Sequence, residues 1–324
     1  MKRWWTAWVA LWDRREPVTA MALVRIFVGV CLVWDVANSY HGGIHGGIID
    51  GVFSTTSGYA RHNDGWSNIL GADPGPLLVH ISMVMSLCIL FGVATPVALV
   101  GYAFVASQLA DIAPYTDHGV FPLLRIACVL LAFGRAGNRW SVDAFVAARI
   151  GKPLATVVPA WPRYLLMAQL VWVYASGGQN KSSSVWGPFG GFRAIENIVS
   201  DPSVARFAPG WVAPFTIISR MATAATITFE VCAPVYLIAY YFAATPDGTN
   251  WRRARRVFAL LRLRWIWILL GLSFHIGIAV TLHLGIFPWG MLALYPVLLR
   301  PEEIAAGVQR LKGVMPAKRA SSPS

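Results

Sequence analysis

The chain has 324 residues, 56% hydrophobic and only 13% charged, with a mean hydropathy of +0.55. Soluble domains carry roughly a quarter charged residues, so this composition excludes an ordinary soluble enzyme and a disordered chain. The formal charge of +12 sits in short clusters, and no soluble basic module is long enough to bind nucleic acid.

In chain order, the first segment is WWTAWVALW (4–12), flanked by Lys2, Arg3, Arg14 and Arg15. It is too short to cross a bilayer and reads as an interfacial helix with its indoles at headgroup level. It lacks the apolar core of a cleaved signal peptide. Apolar runs long enough to be membrane-spanning candidates follow at 18–38, 76–94, 97–112, 118–133, 164–178, 213–243, 264–283 and 284–299. The expected architecture is therefore all-α: a polytopic bundle of about eight transmembrane helices. Its units are an interfacial segment (1–17), a membrane domain (18–300) and a basic cytoplasmic tail (301–324). Pro96 separates the second run from the third, Pro288 marks the break in the last pair, and Pro214 and Pro234 are the expected breakers of the long sixth run.

The basic residues give the run an orientation. With the N-terminus in the cytoplasm, twenty Lys and Arg fall on the cytoplasmic side and four in the two external loops. The other three, Arg25, Arg125 and Arg220, lie inside spans. This bias predicts a multi-pass cell-membrane protein with both termini inside. WRRARRVFALLRLR (251–264) then reads as a topology anchor that meets membrane lipid. The four cysteines, Cys31, Cys88, Cys128 and Cys232, all fall in apolar runs without CxxC spacing, so they imply neither a disulfide framework nor a metal site.

The first external loop contains HGGIHGG, with His41 and His45. Its four glycines disfavour a helical ligand face, so a flexible loop is expected and no metal. The second external loop, GGQNKSSSVWGPFGGFRAIENIVSDP, is long enough to be functional.

Charges inside spans are costly and mark candidate sites. Arg25 and Asp35 stand ten residues apart on one span, too far to pair directly, and each is expected to find a partner on another helix. Arg125 and Glu230 are expected to sit against opposite charge or backbone, with Glu230 alternatively orienting a histidine. His118, after Asp117, opens the fourth run on the external side, and His275 lies in the middle of the seventh. Lys181 lies just beyond the external end of the fifth run. Dehydration at a membrane edge disfavours a charged amine, which makes Lys181 a candidate general base, with snorkelling to lipid headgroups as its bland alternative.

The residues also carry a family resemblance. GNRWSVDAFVAAR (137–149), followed by YASGGQNKSSSVW (174–186), resembles the membrane region of vitamin K-dependent γ-glutamyl carboxylases, part of the wider HTTM (horizontally transferred transmembrane) family. ALVRIFVGVCLVWD (22–35), PYTDHGVFPLL (114–124), TFEVCAPVYL (228–237) and SFHIGIAVTLHLGIFPWGMLAL (273–294) match in order, from about 18 to 300. The resemblance implies that Lys181, in G-x-x-K-x4-W with Trp186, is the base that deprotonates reduced vitamin K or a menaquinol-type naphthoquinone. Oxygen then converts the quinol into a stronger base that takes a glutamate γ-proton, and carbon dioxide captures the carbanion. It further implies that His118 and His275 assist developing oxyanions, that Glu230 orients, and that Trp186 and His275 meet the cofactor at an externally facing site. A peptide or protein is the implied substrate. Three features depart from the family. The chain ends within 25 residues of Leu299, Asn180-Lys181 stands in place of a double lysine, and Glu230 replaces an aspartate. Recognition of a propeptide in the known way is therefore not expected. A non-enzymatic maturation, immunity or scaffold role on the same fold is the alternative.

Overall fold

The computed structural model describes residues 5, 9–10, 12–41, 43–54, 73–114, 117, 119–245 and 251–314. Most of the expected interfacial segment 4–12, and His118, lie outside them. The described residues form a helical bundle with one short antiparallel pair, β1 (Arg15–Pro17) and β2 (Val157–Pro159). The helices of the first half are α1 (Thr19–Ser39), α2 (Ile44–Ile49), α3 (Gly75–Phe91), α4 (Thr95–Ile112), α5 (Phe121–Phe133), α6 (Val142–Arg149) and α7 (Trp161–Gln179). Those of the second are α8 (Ala194–Val199), α9 (Thr216–Val231), α10 (Ala233–Ala244), α11 (Arg252–Leu260), α12 (Leu263–Thr281), α13 (Phe287–Ala293) and α14 (Pro301–Val314).

Proline decides many of the boundaries. α3, α4, α5, α7, α10 and α13 each carry a proline in their first two positions. There its missing N–H is one that a helix leaves unsatisfied anyway. Pro96 and Pro288 thus break the chain where expected. Pro214 sits in the 3-10 turn before α9, and Pro234 follows a 61° bend between α9 and α10.

Each of the eight apolar runs contains helix among the described residues, yet helix length there supports fewer spans. α1, α4 and α12 are long and apolar enough to cross a membrane, and the bent pair α9–α10 makes a fourth if it is one span. α3 has 17 residues and α5 has 13, so they rise about 25 and 20 Å against a hydrocarbon core of about 30 Å. The protein is an all-α membrane bundle; eight full spans are not established by helix length.

The WSVD stretch holds this bundle together. Both Asp143 carboxylate oxygens accept hydrogen bonds at the start of α4, from the N–H of Ala94 (2.8 Å) and from the N–H and hydroxyl of Thr95 (both 2.7 Å). A carboxylate there satisfies orphan donors and the helix dipole together. Fully buried Arg25 donates to the carbonyls of Ile89 (2.7 Å), Leu90 (2.9 Å) and Trp140 (2.5 Å), fastening α1 to the end of α3 and to the same stretch. Gly92, at φ +70°, lets the chain turn beneath them, since a Cβ there would lie 2.3 Å from the Cβ of Ser141. Arg25 therefore finds its partner on another helix, as backbone carbonyls rather than a counter-charge. Arg125 makes a two-pronged pair with Asp117, both contacts 2.7 Å. Asp35 departs from expectation: among the described residues it forms no ion pair, and it lines a small cavity with Tyr102, Asp117 and Arg125.

The histidine-glycine loop is also corrected. Residues 44–49 are helical, not irregular, because Ile48 is fully buried against Val79, Val105 and Leu109 of α3 and α4. That burial is worth about 1.5–3 kcal/mol and offsets the roughly 1 kcal/mol cost of each helical glycine. His45 Nδ1 lies 2.5 Å from the Ser39 hydroxyl, and burial pushes the imidazole down to about 4. The folded chain thus binds this proton more weakly than the unfolded chain does. Stability from the neutral ring is present above the ordinary value of 6.5 and is lost as pH falls toward 4. Thermal midpoints of His45→Gln are expected to lack the decline that the parent shows across that window. Identical pH profiles for the two proteins would refute the assignment.

The expected tail starts as structure. Ile304 of α14 is buried, and Glu303 forms an ion pair with Arg264 of α12. Burial alone would raise the Glu303 carboxyl, but Arg264 and the Arg300 N–H hold it below its ordinary value.

Candidate functional site

The site grows out of the end of α7. A Cβ on Gly178 would lie 2.9 Å from the Val231 nitrogen and 3.0 Å from the Glu230 Cβ. Glycine at 178 therefore lets α7 and α9 touch, and the contact places Glu230 beneath the residues that follow α7. Lys181 Nζ lies 2.6 Å from Glu230 Oε2, with side chains 21% and 5% exposed. Glu230 sits in the last turn of α9, where the helix dipole disfavours a carboxylate; the ammonium offsets this. Lys181 Nζ is also 5.0 Å from the centroid of the Trp186 ring, within cation–π range.

Lys181 and Trp186 front a cavity of about 700 Å³. α12 contributes Leu270, Ser273, Phe274, Gly277, Ile278 and Thr281, a stripe stepping by three and four residues along one face. α9 contributes a matching stripe that includes Ile218, Ala222, Ala225 and Phe229, and α8 with the chain after it covers one side through Ile195, Val199 and Trp211. Lys181 is the one charged side chain among the described lining residues, and Glu230 stands behind it.

The family model of the HTTM domain matches residues 14–238, well over half of the chain. The chain belongs to the HTTM family. This is a membrane family related to the vitamin K-dependent carboxylases. No curated protein and no solved structure matches the chain. The matched residues of this HTTM protein include Lys181, Trp186 and Glu230 and end before His275.

The HTTM bundle does not bring all of the expected residues together. Lys181, Glu230 and Trp186 meet at the cavity mouth, and Glu230 sits against the opposite charge of Lys181 rather than orienting a histidine. His275 is not on the cavity wall. It lies on the other face of α12, in phase with the buried residues Arg264, Trp267, Ile268 and Gly271. One residue past Phe274 is a turn of about 100°, which carries the imidazole away from the stripe. His275 Nε2 lies 2.6 Å from the Tyr174 hydroxyl, which is 2.9 Å from the Tyr295 hydroxyl. Its buried Nδ1 has no hydrogen-bond partner among the described residues. Phe229 and Phe274 separate this cluster from the cavity, with ring centroids 4.8 Å from Tyr174 and 5.0 Å from His275 respectively. His118 lies outside the described residues, and its neighbour Asp117 lines the small cavity near Asp35 rather than this one.

Sequence reasoning missed Tyr174, Phe229 and Tyr295. Tyr174 left a signal: Tyr174, Gly178 and Lys181 are spaced by four and three residues and so share one side of the helix end. Tyr295 left none, since its hydroxyl reaches the cluster over Gly271, where a Cβ would lie 2.0 Å from it.

Proposed function

We propose that this HTTM protein is a membrane enzyme of the vitamin K-dependent carboxylase type, taking a reduced naphthoquinone into the cavity beside Lys181. The observation that carries this reading is the cavity itself: large, apolar, and with one charged lining side chain backed by a buried carboxylate. Its volume lies within the range of small-molecule sites, which join apolar walls to a few polar groups. Its outer side is lined by the exposed small residues Ala225, Ser273 and Gly277, and a Cβ added at Gly277 would meet nothing within 4 Å. An apolar ring system thus has an entry from the lipid between α9 and α12.

Lys181 and Glu230 act as one proton acceptor. Lys181 takes a proton from a hydroxyl in the cavity as it passes its own to the Glu230 carboxylate behind it, so the pair gains one proton and stays cationic only at Nζ. Trp186 and Phe274 bound the rings, and Phe229 closes the floor. The reduced naphthoquinone, with oxygen, supplies a base strong enough to remove a glutamate γ-proton from a peptide. The distribution of basic residues supports placing both termini in the cytoplasm and the cavity on the external face.

The test uses purified protein in lipid nanodiscs titrated with a reduced menaquinol. Saturable quenching of tryptophan fluorescence and oxygen-dependent formation of the quinone epoxide are expected. Ala222→Trp, which fills the cavity, should abolish both while the protein stays folded. Quenching that never saturates, or that survives Ala222→Trp unchanged, would overturn the reading in favour of a non-enzymatic role.

A further inference from the structure

A second cavity lies at the opposite end of the bundle. The near end of α10 abuts Glu230, and the far end of this 12-residue helix, at Ala244, meets the arginine-rich helix α11. Between α10, α11 and the start of α12 is a cavity of about 280 Å³ whose described lining residues include four guanidinium groups, from Arg255, Arg262, Arg264 and Arg300, against the single carboxylate of Glu303.

Three of these arginines are held in place. Arg255 donates to the Thr245 carbonyl (2.6 Å) and lies 4.7 Å over the Phe242 ring. Arg264 is fixed by Glu303 and lies 4.8 Å over the Trp265 ring. Arg300 donates to Glu303 (3.2 Å) and to the Ala243 carbonyl (3.1 Å). The fourth, Arg262, is exposed, and its guanidinium makes no hydrogen bond or ion pair among the described residues. Fixed positive groups with a free guanidinium at the rim suit an oxyanion able to accept several hydrogen bonds. The surroundings narrow the ligand further. Val257, Leu260, Leu261, Trp265, Ile266 and Leu269 expose apolar surface beside the cavity, while Arg252, Arg253 and Arg256 of α11 are exposed along the same helix. A helix with that division lies in a membrane interface.

We infer that this cavity binds the phosphodiester headgroup of an anionic membrane phospholipid, with the acyl chains lying along the exposed apolar face of α11 and α12. An excess of three guanidinium groups over carboxylates favours a net-negative lipid over a zwitterionic one. The adjoining apolar face favours a lipid over free phosphate. This site is separate from the Lys181 cavity, and its test does not depend on the reaction proposed there.

The full chain, purified in uncharged detergent, is titrated with dioleoyl phosphatidylglycerol, dioleoyl phosphatidylcholine or inorganic phosphate, and bound lipid is counted by native mass spectrometry. One phosphatidylglycerol is expected to bind saturably and to raise the thermal midpoint, while phosphatidylcholine and phosphate do neither. Arg262→Glu should weaken that binding about tenfold or more, the scale set by reversing one charge at a membrane surface. Arg253→Glu changes the net charge equally but lies outside the cavity, and should weaken binding less than about threefold. Arg262→Gln gives an intermediate loss and guards against misfolding of the reversed variant. Equal effects at 253 and 262, equal binding of phosphatidylcholine, or full occupancy by phosphate alone would each overturn the assignment.

Discussion

Replacing Lys181 with alanine is expected to lower oxygen-dependent turnover of a reduced naphthoquinone by roughly 10²–10⁴-fold, the range for loss of a positioned proton acceptor. The structure adds a complication that the sequence did not show. Glu230 is 5% exposed and paired with Lys181, so the alanine variant leaves a buried carboxylate without its counter-charge. Lys181→Met combined with Glu230→Gln removes both charges and keeps the volume. That double variant should fold, bind the quinol and fail to turn it over. The single alanine variant should recover part of its activity with small primary amines, which fit the space beside the carboxylate. Turnover of the double variant within threefold of the parent, at equal membrane levels, would remove Lys181 from the chemistry.

The contrast between Lys181 and His275 shows which parts of the site were legible. Lys181 was found because it breaks an apolar pattern at a helix end, where its position does not depend on helix phase. His275 sits mid-helix, and there phase decides everything. In a soluble helix polar residues mark the outer face, but α12 is apolar all round because lipid accepts the same side chains as the core. Leu270, facing the cavity, and Ile268, facing the core, look alike in sequence. That Glu230 meets an opposite charge was legible, but which charge it meets was not. Its partner is set by the close approach of two helices at Gly178, and that contact joins residues 52 positions apart. Helix breaks at Pro96, Pro214, Pro234 and Pro288 were legible because proline acts locally. WSVD, one half of the motif pair that carries the resemblance, is a fastening of α1, α3 and α4 rather than part of the cavity wall.

Removing Glu16 is expected to destabilise the protein by about 3–5 kcal/mol, because it strands the most fully engaged charge in the bundle. Arg163, 1% exposed, places all five of its N–H donors. Nε and Nη2 donate to the two Glu16 oxygens at 2.5 and 2.7 Å, and Nη2 also to the Tyr240 hydroxyl at 2.6 Å. Nη1 donates to the carbonyls of Val297 (2.8 Å) and Leu299 (3.3 Å). One guanidinium thus joins α7 to α10, to the chain after α13 and, through Glu16, to β1. Glu16→Ala in detergent should unfold about 10 °C below the parent, by the usual scaling of midpoint with stability. Because the pair is buried, raising the salt from about 0.05 to 1 M should change that gap little. Glu16→Leu with Arg163→Met and Tyr240→Phe removes the charges together and should recover most of the loss, since an apolar replacement avoids an unpaired ion. A parent-like midpoint for Glu16→Ala would show that Arg163 does not need its carboxylate. The same variant separates stability from chemistry. Arg163 and Lys181 lie at opposite ends of α7, about 27 Å apart along its axis. Below the lowered midpoint, turnover per folded Glu16→Ala molecule should equal that of the parent, whereas the Lys181 variants lose turnover at every temperature.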